Sequence, residues 1–441
     1  MKDRIRSVLE EKLGEALTRN FPELVRREAR VQGGPKKVKA IIGMRRAGKT
    51  SFLFQELANR LEAGLSRDRL VYVNFEDERL AEMKAEDLEE ILTLYYRQFP
   101  HYRGKETVVW CFDEIQVIPG WERFVRRILD SEKVEIFISG SSARMLSREV
   151  ATSMRGRAME TVIRPFSWRE FLRMKNHEPK RGKQLFSPAE RSTMEALFEA
   201  YLEWGGFPET VEMETDRERV ELLQGYVDIV LLRDIGERHG VSNLLALRAL
   251  VRQVLRHPAQ LLSVSKVYRD FKSRGIEVSK GTLLAFMAYL EDSFLVFGLP
   301  LVAGSERRRQ TNPRKFYLAD HGLARAYAAS SSVDRGRMLE NMVAVALQAN
   351  SSALGYWLTE EGYEVDFCAQ TYGGEKRLVQ VSSDLSETST WEREVRALDS
   401  ARKEVKGASC LLLSETAPQK GSEQPDWLEH RLVWRWLLED F

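Results

Sequence analysis

Along its first third the chain alternates short apolar runs with stretches of helical spacing. Residues 38–44 predict a strand, 50–63 a helix with Phe52, Leu53, Leu57 and Leu61 on one face, and 70–75 a strand. Residues 85–99 predict a helix, 107–112 a strand, 122–131 a helix, and 134–139 and 159–164 two further strands. Strands apolar on both faces and separated by helices predict a parallel sheet covered on both sides. Residues 1–30 read as a charged amphipathic segment, ended by the break Gly33-Gly34-Pro35.

The composition shifts at 174–190, where Lys-Asn-His-Glu-Pro-Lys-Arg-Gly-Lys predicts a surface loop and a boundary. Beyond it, 192–204 and 217–239 have helical periodicity, separated by Gly205-Gly206-Phe207-Pro208. Three helices over 244–256, 263–274 and 279–293 precede two strands at 295–301 and 315–318, joined by the basic loop 306–314. That is the order of a winged helix with a two-stranded wing. A helix over 336–348 then leads to strands at 355–359, 364–370 and 377–382. The fold class expected is α/β: a parallel sheet over 1–172, a helical lid or linker over 173–239, a winged helix over 240–330, and a second α/β domain over 331–441.

At 441 residues the chain exceeds one ordinary core. Hydrophobic residues at 43% and charged residues at 30% describe a soluble globular protein. With 68 basic and 66 acidic side chains the formal charge is +2, so nucleic-acid or membrane attraction must come from a local patch. The charged start Met1-Lys-Asp-Arg-Ile-Arg lacks the apolar centre of a secretion signal. The apolar stretch 283–301 contains Glu291 and Asp292, which argues against a membrane span. Cys111, Cys368 and Cys410 match no zinc spacing and fit a reducing cytoplasm. The expected location is cytoplasmic.

Gly43-Met44-Arg45-Arg46-Ala47-Gly48-Lys49-Thr50 matches the phosphate-binding loop pattern in full, between a strand and a helix. Its glycines let backbone N–H groups turn toward an anion, and the following helix, with Ser51 in its first turn beside the phosphates, adds its positive end. Lys49 would reach the outer phosphates of ATP, and the Thr50 hydroxyl would hold Mg²⁺. A buried strand ends in Asp113 and Glu114, the first acid for Mg²⁺ and the second to deprotonate water. The next strand ends Ser139-Gly140-Ser141-Ser142, where Ser139 or Ser141 could touch the terminal phosphate or the water. Arg155 or Arg157 could reach a neighbouring subunit's nucleotide.

These motifs, with Met154-Arg155-Gly156-Arg157, Pro165-Phe-Ser-Trp-Arg-Glu-Phe171 and Gly205-Gly206-Phe207-Pro208, resemble the AAA+ superfamily ATPases of bacteria and archaea that carry a C-terminal domain of unknown function. The resemblance runs along nearly the whole chain. It implies a P-loop sheet with an additional strand and a homo-oligomeric ATPase that forms a ring or at least oligomerises, a hexamer or heptamer being the rings to expect. It supplies no substrate.

The recognition helix of this winged helix, 279–291, offers little to read bases beyond Lys280 and Thr282. Phosphate contacts from Lys266, Arg269, Lys272, Arg274 and Arg307-Arg308-Arg309 fit non-specific DNA binding better, with packing against the ATPase domain as the alternative. In the last domain Glu340, Asp366 and Gln380 resemble the metal-holding residues of the PD-(D/E)xK nuclease-like fold, in which an acid on one strand and Glu or Gln on the next hold a divalent metal. Ser382 stands where that fold carries its lysine, which implies a domain without cleavage activity; Lys376 or Arg377 could stand in.

Two readings follow. In one, ATP binding and hydrolysis rearrange the winged-helix and nuclease-like domains on DNA. In the other, ATP state gates contacts with a protein partner, and the last domain is a docking platform. An active nuclease ranks below both.

Overall fold

The computed structural model describes all residues except 1, 35, 143–153, 155, 303–311, 329–333, 420–422 and 440–441. Contacts divide the chain into two units: Met1–Arg164 with Asp292–Phe294, and Pro165–Glu291 with Leu295–Phe441.

In the first unit β1 (Val38–Ile42), β2 (Leu70–Asn74), β3 (Val108–Asp113), β4 (Val134–Gly140) and β5 (Ala158–Val162) form a parallel sheet in the order β2-β3-β4-β1-β5. The additional strand β4 separates the strand before the glycine loop from the strand that ends in Asp113. Helices α1 (Lys2–Thr18), α2 (Lys49–Glu62), α3 (Leu88–Gln98) and α4 (Trp121–Ser131) accompany the sheet.

Successive residues of a strand face opposite sides, and burial follows that rule. Val108, Trp110 and Phe112 join one core with residues of α1, α3 and α4. Val109 and Cys111 join another with Phe52, Leu53 and Leu57 of α2. Asp113 has the parity of the second set, so the strand delivers its carboxylate to the side of α2.

In the second unit α5 (Trp168–Met174), α6 (Pro188–Trp204) and α7 (Asp216–Ile229) each start with a reciprocal cap. Ser167 pairs with Glu170, Ser187 with Glu190 and Thr215 with Glu218, which satisfies N–H groups that a helix start leaves open. Then come α8 (Leu244–Arg256), β6 (Gln260–Leu262), α9 (Val264–Ser273), α10 (Lys280–Asp292), β7 (Val296–Leu299) and β8 (Arg314–Leu318). The expected two-stranded wing is an antiparallel sheet of three strands, β6-β8-β7. Its extra strand is three partly exposed residues long, too short to leave a periodic signal.

The last part contains α11 (Arg335–Asn350), β9 (Ala353–Leu358), β10 (Glu364–Gln370), β11 (Lys376–Ser382), α12 (Thr388–Glu404), β12 (Ser409–Ser414) and β13 (Leu428–Leu432). Its sheet runs β13-β12-β11-β10-β9, with the pairs of β9, β10 and β11 antiparallel and those of β11, β12 and β13 parallel. The helix α12 makes the crossover that a parallel pair requires. The fold is α/β, with a five-stranded parallel sheet first and a further α/β sheet domain last. Among the described residues no helix is long and apolar enough to cross a membrane. All three cysteines are buried free thiols.

Candidate functional site

The loop from Gly43 to Gly48 joins β1 to α2 through three positive φ angles, at Gly43 (146°), Arg46 (65°) and Gly48 (97°). At Gly43 a side chain is excluded outright, because a Cβ there would lie 2.1 Å from the Ile163 carbonyl oxygen. Lys49, only 6% exposed, folds its ammonium back over the loop. It donates to the carbonyls of Gly43 (3.2 Å) and Met44 (3.3 Å) and lies 3.5 Å from Glu114 Oε1. Thr50 and Ser51 are exposed at the head of α2, as is Arg46, and Arg45 pairs with Glu76 at 2.8 Å.

Asp113 is buried and takes hydroxyl donors on both oxygens. Thr50 Oγ1 (2.8 Å) and Tyr72 OH (2.6 Å) donate to Oδ2, and Ser139 Oγ donates to Oδ1. Burial raises its pKa and the charge of Glu114 adds to that, while the Ser139, Tyr72 and Thr50 hydroxyls oppose it. Burial likewise raises the Tyr72 phenol, reinforced by Asp113. Tyr72 was not visible as a site residue in the sequence. The register that pairs it with Cys111 puts it on the face that carries Asp113. Three hydroxyls on a buried carboxylate, with no ion pair to it among the described residues, fit a magnesium-binding acid; the exposed Thr50 hydroxyl fits as the second ligand.

Glu114 adopts φ 53°, a left-handed conformation that turns the chain directly after the strand. Its N–H donates to Ser139 Oγ at 2.9 Å, and its carboxylate accepts from the Gln116 amide. Ser139 thus joins the backbone of one acid to the side chain of the other. Ser141 is fully buried near the same strand end. Arg157 precedes β5 and pairs with Asp130. Because Val38 aligns with Ala158 in parallel strands, Arg157 stands at the strand-start edge of the sheet, opposite the glycine loop. Arg155 and the Arg307–Arg309 cluster lie outside the described residues.

A second residue missed in the sequence is Arg27, from the stretch after α1. Its guanidinium donates to Ala47 O in the loop (2.8 Å) and to Arg164 O, and its N–H donates to Gln55 Oε1 of α2 (2.6 Å). One buried side chain thereby ties the glycine loop to the end of the sheet's edge-strand segment.

Residues 35–172 match the family described as AAA domain, and residues 195–334 match a domain of unknown function, DUF8612. The uncharacterized protein MJ1544 of Methanocaldococcus jannaschii is 32% identical over 425 residues, covering 94% of this chain and 91% of that protein. The chain belongs to the MJ1544 family. An uncharacterized Haemophilus influenzae protein is 27% identical over 350 residues, covering 79% of this chain and 83% of its own. Among solved structures, the Aeropyrum pernix ORC1 protein in complex with DNA is 17% identical, with 74% of this chain and 91% of that chain covered and a TM-score of 0.28. At such a score the likeness says nothing of function.

In its second unit the MJ1544-family protein carries two charged features. On α8, Arg248, Arg252 and Arg256 recur every fourth residue on the exposed face, while Leu247, Leu250, Val251, Val254 and Leu255 are buried. The stripe borders a cavity of about 340 Å³ shared with Asp228 and Tyr327, and one of about 640 Å³ shared with His257, Lys266, Asp270 and Arg274. Lys266 and Arg274 therefore join residues that sequence reasoning had not grouped with them; Arg269 and Lys272 are exposed on α9.

The acids of the last domain are placed differently from expectation. Gln380 has both ends of its amide engaged: its Nε2 donates to Glu394 (2.8 Å), and its Oε1 accepts from the Asp366 N–H (3.2 Å). Glu340 and Asp366 do meet, around the ammonium of Lys315 from β8. Neither Lys376 nor Arg377 stands in for the missing lysine. They begin β11, and Val381, whose N–H reaches Asp366 Oδ2 at 3.0 Å, lies four to five residues on, roughly 13–17 Å along an extended strand.

Proposed function

We propose that this protein is a Mg²⁺-dependent ATPase whose nucleotide state acts as a switch on a nucleic-acid-associated assembly. The observation that carries the proposal is the junction at two strand ends: Thr50 on Asp113 at 2.8 Å, with Lys49 3.5 Å from Glu114. Lys49 would leave its loop carbonyls for the outer phosphates, exchanging neutral acceptors for anionic ones. Thr50 and Asp113 would hold magnesium, which neutralises phosphate charge during transfer. Glu114 would orient a water and take its proton as the water oxygen bonds to the terminal phosphorus. The bond to the bridging oxygen breaks, leaving ADP and phosphate. Ser139 would keep Glu114 in place through its N–H.

For the partner, the α8 stripe supports a phosphate backbone. Like charges four apart on a helix cost about 0.2–0.5 kcal/mol per pair, and Arg248 and Arg252 have no ion pair among the described residues. The fully apolar buried face of α10 (Leu283, Phe286, Met287, Leu290) and its sparse polar face support backbone contact over base reading. The position of Arg157 at the far edge of the sheet supports action on a neighbouring subunit's nucleotide in a homo-oligomer.

The test is ATP turnover of the full chain with and without single- and double-stranded DNA, at low and raised salt. Stimulation lost with salt supports the reading; no binding and no stimulation at low salt rejects the nucleic-acid part. The neutralised acid cluster in the last domain favours a second reading, a nucleotide-gated protein scaffold. Partner capture that depends on Lys49 and survives nuclease digestion would select it.

A further inference from the structure

Lys315 is 4% exposed, yet its Nζ lies 2.7 Å from Glu340 Oε1, 2.7 Å from Glu364 Oε1 and 3.0 Å from Asp366 Oδ1. An ammonium has three N–H donors, and these three carboxylates use all of them. Tyr317, two residues on and so on the same face of β8, donates to the same Glu340 oxygen at 2.7 Å. The carboxylates come from two elements, α11 and β10, and the cation comes from the strand of a different sheet.

A divalent ion does not fit here. Mg²⁺ and Ca²⁺ bind carboxylate oxygens at about 2.0–2.6 Å, whereas these oxygens stand at hydrogen-bond distance from a nitrogen at their centre. Among the described residues no cluster of three or more His, Cys, Asp or Glu is arranged to hold a metal ion. Gln380, whose amide oxygen the nuclease-like pattern would offer to such an ion, has that oxygen accepting from the Asp366 N–H at 3.2 Å, while its Nε2 donates to Glu394. We infer that the Lys315 ammonium permanently occupies the cation position of the nuclease-like acid cluster, so that the cluster fastens the three-stranded sheet to the last domain and takes no divalent metal. The inference does not depend on the nucleotide site.

Charge balance supports it. Burial works against the lysine's charge, but Asp366, Glu340 and Glu364 outweigh that and leave its pKa well above the usual lysine range. Burial and Asp366 push the Glu340 carboxyl up, opposed by Lys315. Without the ammonium, like charges would crowd a buried site, and only a proton or another cation could relieve them.

The test uses the nucleotide-free full chain and Mn²⁺ as the probe, reading bound Mn²⁺ by electron paramagnetic resonance and stability by thermal melting. Wild-type protein is expected to bind no Mn²⁺ that Asp366→Asn abolishes, and any shift of its melting by Mn²⁺ is expected to be matched in Asp366→Asn. Lys315→Met is expected to melt several degrees lower and to recover when Mn²⁺ is added. If Lys315→Met does not fold, Lys315→Met with Glu364→Gln, which removes one carboxylate, carries the same comparison. Wild-type Mn²⁺ binding lost in Asp366→Asn would overturn the inference. So would a lysine-free variant whose melting Mn²⁺ leaves unchanged.

Discussion

Thr50 Oγ1 donates to Asp113 Oδ2 across 2.8 Å, although 63 residues separate them in the chain. The hydroxyl belongs to the first turn of α2 and the acid to the end of β3, with β4 between their strands, so the sheet order alone brings them together. Lys49 and Glu114, the neighbours of this pair, stand 3.5 Å apart, and under the proposed function the first would serve binding and the second turnover. Lys49→Ala is expected to weaken nucleotide binding roughly 10- to 100-fold, the loss of charge-assisted hydrogen bonds. Glu114→Gln is expected to bind ATP normally while turnover falls about 10²- to 10⁴-fold, the usual share of a general base. Nucleotide titration and steady-state ATPase assays separate the two; a Glu114→Gln protein that lost affinity at full rate would contradict the assignment.

Arg27 tests whether the loop must be held from outside. Its guanidinium is bonded to the carbonyls of Ala47 and Arg164 and is buried. Arg27→Met keeps much of the bulk and removes the charge-assisted bonds. Stability should fall by about 2–3 kcal/mol, and nucleotide affinity should fall while turnover at saturation stays near normal. Chemical denaturation together with ATP titration reads both. Unchanged affinity with the stability loss would make Arg27 purely structural.

The legible and illegible parts of this chain divide along a physical line. The glycine loop, β1 and β3 could be read because their information is local: a run of apolar residues and a motif of fixed spacing. The reciprocal caps at Ser167, Ser187 and Thr215 are equally local. Tyr72 and Arg27 could not be read, because each works through register or a long-range backbone contact that leaves no periodicity. Lys315 is the sharpest case, since it meets Asp366 only after two sheets have formed, 51 residues apart. The strand β13, Leu-Glu-His-Arg-Leu, has one buried residue and so no apolar run to detect.

Gly205 carries a prediction about the second unit. With φ 76° it sits where a Cβ would lie 1.8 Å from Asp320 Oδ1. Asp320 cannot retreat, since it accepts from the N–H groups of Gly206 and Gly322, both at 2.8 Å. Gly205→Ala combines a left-handed backbone with a side-chain clash and should cost about 2 kcal/mol or more. Differential scanning calorimetry should place the loss in the transition of this unit, with nucleotide affinity spared. A melting profile like that of wild type would show that the turn can reorganise freely.

The arginine stripe makes the final prediction, which combines salt and pH. If Arg248 and Arg252 meet phosphates, Arg248→Gln with Arg252→Gln should weaken DNA binding for all sequences alike and reduce the slope of log K against log salt by about 1.8. His257 lines the same cleft as Arg252 and Arg256. In the free protein burial lowers its pKa below the ordinary 6.5, and Arg337 and Arg256 lower it further. Bound phosphates would offset those arginines and raise the pKa, so binding would take up a proton. Affinity should therefore rise as the pH falls from about 8 toward 6 through the ordinary histidine range, and His257→Gln should flatten that part of the profile. Fluorescence anisotropy of a labelled duplex at fixed ionic strength measures both effects. An affinity that follows pH equally in wild type and His257→Gln would place the phosphates away from this cleft, because a histidine beside them must respond to their charge.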